Sequence, residues 1–242
     1  AANFDDDALR EGIAYAHARG VKCYITVNII PSNEDLKVLP AYLEFLQEAG
    51  ADALIVADVG VVAMAKRYAP RVPLHISTQT SILNHEAANF WADLGAERIV
   101  LARELSLEDI AEIRQKTPKS LEIEAFVHGA MCISYSGRCL ISQYLTGRDA
   151  NHGACAQPCR WKYNLVEEKR PGEYFPVVEG EGGTYLYNSK DLCMIDHIPE
   201  LVDAGITSFK IEGRNKTAYY AAGITSAYRR AVDAYCENPE GF

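Results

Sequence analysis

Apolar and polar positions along the first 130 residues switch between two periods, over and over. DDALREGIAYAHARG sets Leu9, Ile13 and Ala16 on one face at helical spacing. VKCYITVNI follows as a nearly unbroken apolar run, the pattern of a strand buried on both faces. DLKVLPAYLEFLQEAG predicts a helix, with Pro40 near its first turn or at a kink. ADALIVADV then predicts a strand, VGVVAMAKRYA a helix, VPLHISTQT a strand and HEAANFWADLG a helix. RIVLARE predicts a strand, SLEDIAEIRQKT a helix capped by Ser106, and LEIEAFVHG a strand. Glycine closes AHARG, QEAG and ADLG, where a left-handed residue ends a helix at little cost.

The beat breaks over residues 130–183, which are polar and glycine-rich with only short strand-like pieces. TYLYNSKDLCMI predicts another strand and its exit. The beat then resumes with HIPELVDAG as helix, TSFKIEGR as strand and KTAYYAAGITSAYRRAVDAYCE as a long last helix.

Strands separated by single helices predict an α/β fold with a parallel sheet covered by helices. Six such units fit a doubly wound sheet. The polar residues argue instead for a TIM-type (β/α) barrel. Asn28, Asp58, Thr78 with Gln79, Arg103 with Glu104, His128, and Glu212 with Arg214 fall at the carboxyl ends of successive strands. A barrel gathers those ends around one mouth. The chain opens at a helix, so the barrel is expected to be incomplete, with the first strand, helix and strand missing. The expected organisation is central βα units over 1–129, a cysteine-rich loop and insertion over 130–183, and closing strands with the C-terminal helix over 184–242.

Hydrophobic residues make up 48% and charged residues 24%, as in ordinary globular domains. No apolar run is long enough for a membrane span, and a cytoplasmic location is expected. The net charge of −9 argues against a generally basic nucleic-acid surface, though not against one local groove.

Seven cysteines change the picture. Cys132, Cys139, Cys155 and Cys159 form C-x6-C-x15-C-x3-C, and Cys193 follows further on. The close C-x2-C pairs of zinc knuckles and thioredoxin-like sites are absent. Spacing alone leaves three uses open: an iron–sulfur cluster, a zinc site, or redox and unliganded thiols. Cys23 and Cys236, in apolar surroundings, read as small buried hydrophobes.

Strand alternation puts His75, Ser77 and Gln79 on one face, and Glu122, Glu124, Phe126 and His128 on one face of a later strand. Lys210 and Glu212 share a face, with Arg214 at the exit. Charged groups facing inward are costly unless paired, so mutual pairing is one reading and an active site the preferred one. His75, Gln79, His128, Lys210 and Glu212 are the candidate catalytic set. Asn28, Arg103, Arg138, Arg160 and Arg214 are the candidate substrate-binding set. HExxH and GxSxG are absent. Cys132 lies near His128 in sequence, a weak sign of a nucleophile and its base.

At IEAFVHGAMCISYSGRCLISQYLTGRDANHGACAQPCRWKY, YLYNSKDLCMI and FKIEGR the chain resembles the collagenase-like peptidases, peptidase family U32. The likeness extends over nearly the whole chain. It implies either peptide hydrolysis or the prephenate-dependent hydroxylation carried out by other members on a tRNA uridine, an rRNA cytidine or a quinone ring. GRDANHGACAQPCRW is nearest in wording to the TrhP-like tRNA uridine branch. That resemblance implies a 4Fe–4S cluster on Cys132, Cys139, Cys155 and Cys193, with Cys159 in reserve, and prephenate as oxygen donor. Arg138, Arg160 and Lys210 would hold a dicarboxylate or RNA phosphates, and His75, His128 and Glu212 would move protons. The implied partners are tRNA and a homo- or hetero-oligomer. A non-catalytic subunit of a hydroxylase complex is the third reading.

Overall fold

The computed structural model describes residues 4–161, 164–166, 168–176 and 191–242. Helix α1 (Asp6–His17) starts where Asp5 Oδ1 accepts from Ala8 N–H at 2.8 Å, and it buries Ile13. Then come β1 (Tyr24–Val27), α2 (Asp35–Glu48), β2 (Ala53–Val56), α3 (Val59–Tyr68), β3 (Leu74–Ile76), α4 (His85–Asp93), β4 (Arg98–Val100), α5 (Leu107–Gln115) and β5 (Glu122–Gly129). Pro40 lies inside α2, past its first turn. Ser106 caps α5 as expected and forms a capping box with Asp109. Asp58 also serves as a cap: its Oδ1 accepts from Gly60 N–H and Val61 N–H at 2.8 and 3.0 Å.

After β5 the chain forms α6 (Ile141–Thr146), a two-stranded antiparallel pair β6 (Asn164–Leu165) and β7 (Phe175–Pro176), then β8 (Leu192–Cys193), α7 (Ile198–Asp203), β9 (Ser208–Ile211) and α8 (Ala218–Glu237). The strand expected at TYLYNSKDLCMI is described only from residue 191, and the expected boundary at 183/184 lies outside the described residues.

The parallel strands run in the order β1-β2-β3-β4-β5-β9. Every later strand joins the same growing side, without the reversal of order that defines a doubly wound sheet. This is an α/β fold whose parallel sheet curls as part of a TIM-type barrel. Among the described residues no pairing joins β1 to β9. β8 is the antiparallel exception, pairing His128 with Cys193 and Gly129 with Leu192.

The core lies between sheet and helices, where Leu43, Leu46, Leu54, Val56, Ile99 and Ile123 are fully buried. Two expectations change here. β3 ends at Ile76, and Thr78–Thr80 forms a single 3-10 turn, with Thr78 Oγ1 donating to the Leu101 carbonyl at 3.0 Å. Cys236 is exposed and Cys23 only partly buried, so neither is a fully buried hydrophobe.

Candidate active site

A cavity of about 370 Å³ opens at the carboxyl ends of the parallel strands. Asn28 after β1, Gln79 after β3, Arg103 after β4, and Lys210, Glu212 and Arg214 from β9 and its exit all line it. Cys132, Cys139, Cys155, Cys159 and Arg160 line it from the segment after β5. Ile55, Val100 and Phe126 supply apolar wall.

Below the cavity the inward-facing charges pair with one another. Glu124, 5% exposed, accepts from Lys210 Nζ at 2.6 Å, Ser208 Oγ at 2.8 Å and Arg98 Nη1 at 2.9 Å. Arg98 also reaches Glu122. Burial pushes the Glu124 carboxyl up, but Lys210, Ser208 and Arg98 outweigh it and hold the group below the ordinary range. His75 is buried beside this network, edge-on to the Tyr24 ring at 4.8 Å. Burial, reinforced by Arg98, pushes its imidazole down to about 4. It is neutral at physiological pH and does not reach the cavity wall.

His128 is turned elsewhere. Register shifts between Phe126 and His128, so one extra residue of β5 faces β9. Phe126 stays on the cavity wall, whereas His128 packs against α8, its Nδ1 3.3 Å from the Tyr228 hydroxyl. The expected common face of Glu124, Phe126 and His128 is therefore broken at the bulge. Tyr228, which the sequence reading passed over, fastens this corner. Its hydroxyl donates to Val127 C=O at 2.8 Å and accepts from Met194 N–H at 2.9 Å.

The segment after β5 is tied down from both sides. Ser142, 1% exposed, donates to Arg148 C=O at 2.8 Å and accepts from Ala156 N–H at 2.9 Å, clamping the two ends of the loop that carries Cys155. The Asn151 carboxamide makes both hydrogen bonds to the backbone of Ile30, at 2.9 and 3.0 Å. Arg160 pairs with Asp191 at 2.6 Å. Gly129 needs its freedom twice over: φ is +107°, and a Cβ there would come within 2.4 Å of the Glu212 carbonyl oxygen. Arg138 is not on the cavity wall; it approaches Gln79 C=O at 3.5 Å from outside.

The thiols fall into two places. Burial raises the Cys159 thiol; Cys132 adds to this, Arg160 opposes it, and Cys155 and Cys139 add again, so Cys159 lies within electrostatic reach of the other three. Gln157 N–H donates to Cys155 Sγ at 3.3 Å. Cys193 does not join them: it is exposed on β8, its thiol beside the Tyr228 hydroxyl. Among the described residues no three His, Cys, Asp or Glu stand close enough to grip a single ion. A cubane cluster holds its thiolates at four corners, farther apart than ligands of one ion. Four cysteines around one cavity, with a flanking arginine and an amide on sulfur, match that donor chemistry.

The family model described as peptidase family U32 matches residues 1–241. The chain is 43% identical over 241 residues to tRNA hydroxylation protein P1 of Bacillus subtilis, covering 99% of this chain and 56% of that protein. It is 41% identical over 269 residues to tRNA hydroxylation protein P of Escherichia coli, covering 95% and 59%. It is 46% identical over 237 residues to a protein of Methanocaldococcus jannaschii named as an uncharacterized protease, covering 97% and 56%. The chain thus spans somewhat more than half the length of these relatives. No helix among the described residues is long and apolar enough to cross a membrane.

Proposed function

The chain belongs to peptidase family U32, and from that membership we propose that it hydroxylates a pyrimidine base of RNA, a tRNA uridine first of all. The observation that carries this reading is the meeting of four thiols with Arg103, Lys210 and Glu212 around one cavity. Relatives named for tRNA hydroxylation support it.

Cys132, Cys139 and Cys155 would hold three corners of a 4Fe–4S cluster. Its position on the cavity wall supports Cys159 as the fourth ligand; the family resemblance supports Cys193. When bound, such a cluster supplies one-electron chemistry or activation of an oxygen donor. The protein side has three tasks. Arg103, Arg160 and Lys210 attract an anionic donor, for which the dicarboxylate prephenate is the proposed compound. Ile55, Val100 and Phe126 keep the wall apolar and limit water. Glu212, on the cavity wall, is placed to accept or return a proton.

Peptide hydrolysis, the activity in the family's name, needs a nucleophile with a base at hand. His128 is engaged with Tyr228 while Cys132 lines the cavity, so the pair suggested by sequence is not assembled. The test is anaerobic purification with iron and sulfide analysis, followed by nucleoside mass spectrometry on tRNA from cells lacking their own hydroxylation protein. Iron, sulfide and 5-hydroxyuridine restored by the chain are the expected result. An iron-free protein that cleaves peptides would overturn the reading.

A further inference from the structure

The segment after β5 forms much of the cavity's rim, and its charge runs against that of the chain. Residues 130–161 hold three arginines and a single carboxylate, Asp149, within a chain of net charge −9. His152 answers that carboxylate, its Nδ1 2.6 Å from Asp149 Oδ2. Arg160 is paired with Asp191. Arg138 and Arg148 are exposed and have no carboxylate partner among the described residues, and the same holds for Arg214 at the exit of β9. Two of these guanidinium groups lie against consecutive residues: Arg148 Nε donates to Ala154 C=O at 2.8 Å, and Arg214 Nη1 is 3.6 Å from where a Cβ on Gly153 would be. Arg138 stands elsewhere on the rim, its Nη2 3.5 Å from Gln79 C=O. Gln79 follows β3, three strands away from β9 in the sheet, so the cations flank the mouth instead of crowding one side of it.

Exposed rings are interleaved with these charges. Tyr135 is 44% and Tyr144 87% exposed, with Leu140, 76% exposed, between them in the chain. Neither ring has an aromatic or cationic partner among the described residues. Gly137, Cys139 and Ile141 alternate with Arg138 and Leu140 and line the cavity, which keeps the exposed side chains at its edge. An acidic peptide would answer the arginines, but its carboxylates bring no flat surface to the rings. RNA repeats a phosphate and a flat base in every nucleotide. In a duplex those bases are stacked on one another, so only an unpaired strand offers them to an aromatic side chain. We infer that this rim seats single-stranded RNA: Arg138, Arg148 and Arg214 take phosphates, and Tyr135 and Tyr144 stack on bases beside the one that enters the cavity. This rests on the RNA-hydroxylation reading above and names the surface that holds its substrate. The rim also resolves the objection of net charge, because phosphate contacts need a local cationic surface and not a basic protein.

The test is fluorescence anisotropy at several salt concentrations on the anaerobically purified chain. The probes are an RNA hairpin with uridines in its unpaired loop, a blunt RNA duplex and a polyglutamate peptide. The hairpin is expected to bind more tightly than the other two. Tyr144→Ala is expected to weaken hairpin binding about tenfold, the loss of one base stack, with its salt dependence unchanged. In the double variant Arg138→Ala with Arg214→Ala, the slope of log K against log salt is expected to become shallower by about 0.7 for each arginine removed. Both variants should melt as the parent does, since the substituted side chains are exposed. Hairpin binding by the parent with either variant behaving as the parent would overturn the rim assignment and leave the RNA reading standing. Duplex or polyglutamate bound as tightly as the hairpin would overturn the choice of an unpaired strand. Absence of binding to either RNA would remove the RNA reading itself, and this assignment with it.

Discussion

Lys210 Nζ stands 2.6 Å from Glu124 Oε1, linking adjacent strands β9 and β5, with the ammonium on the cavity wall and the carboxylate buried beneath it. Arg98 and Ser208 complete the carboxylate's shell. Glu124→Gln would leave two cations facing a neutral amide. Breaking a buried pair from one side costs about 3–5 kcal/mol. Urea unfolding should show a loss of that order, and a variant as stable as the parent would mean the network contributes little.

His75 makes the protein's stability depend on pH. Its imidazole, pushed down to about 4 by burial and then by Arg98, stays neutral in the fold, whereas the unfolded chain takes up the proton near 6.5. Between those values the unfolded state binds more protons, so stability rises with pH and is lost as pH falls from about 6.5 toward 4. The full loss is about 3 kcal/mol. Denaturant midpoints over that window should fall steadily for the parent and be flatter for His75→Phe; parallel curves would contradict the assignment.

Ser142 has two bonds to lose. Its hydroxyl joins Arg148 C=O to Ala156 N–H across the loop that carries Cys155. Ser142→Ala would take the partner from both backbone groups in a part-buried place, at about 1 kcal/mol. A lower thermal midpoint, with less iron per chain after anaerobic purification, is the expected result. Unchanged iron would show that the clamp is not needed to hold the thiols.

Serine variants separate the thiols. Cys132→Ser, Cys139→Ser and Cys155→Ser should each lose the visible absorbance of a cluster. Loss in Cys159→Ser with retention in Cys193→Ser is the outcome the cavity geometry favours. The reverse would give the fourth place to Cys193 and require β8 to leave its pairing with His128 and Gly129.

The βα beat, the Ser106 cap and the mouth of polar residues were all legible in the sequence, because each rests on local spacing. Barrel against doubly wound sheet was settled by strand order, which no local pattern holds. His128 shows the limit most plainly: alternation assigns it inward, but one bulge residue reverses every face beyond it. Asp58 was legible as a polar strand end, yet its carboxylate is used up by the first turn of α3. Cys159 and Cys193 could not be ranked from spacing, since irregular chain between thiols fixes no distance. That Gln79 Oε1 and Arg103 Nε are buried with no partner among the described residues is invisible in a sequence; only packing reveals it.

The pair of hydrogen bonds between Asn151 and Ile30 has a consequence for biosynthesis. It joins residues far apart in the chain, and the thiol segment is further fastened by Asp191, which leaves the ribosome later still. At about 5–20 residues per second, a nascent chain carries its four cavity cysteines outside the ribosome for on the order of seconds before their last anchor arrives. During that interval they are ordinary solvent-facing thiols, open to oxidation. If these thiols hold a cluster as proposed, its delivery falls to the finished fold, and the thiols are most open to loss while the chain is still being made.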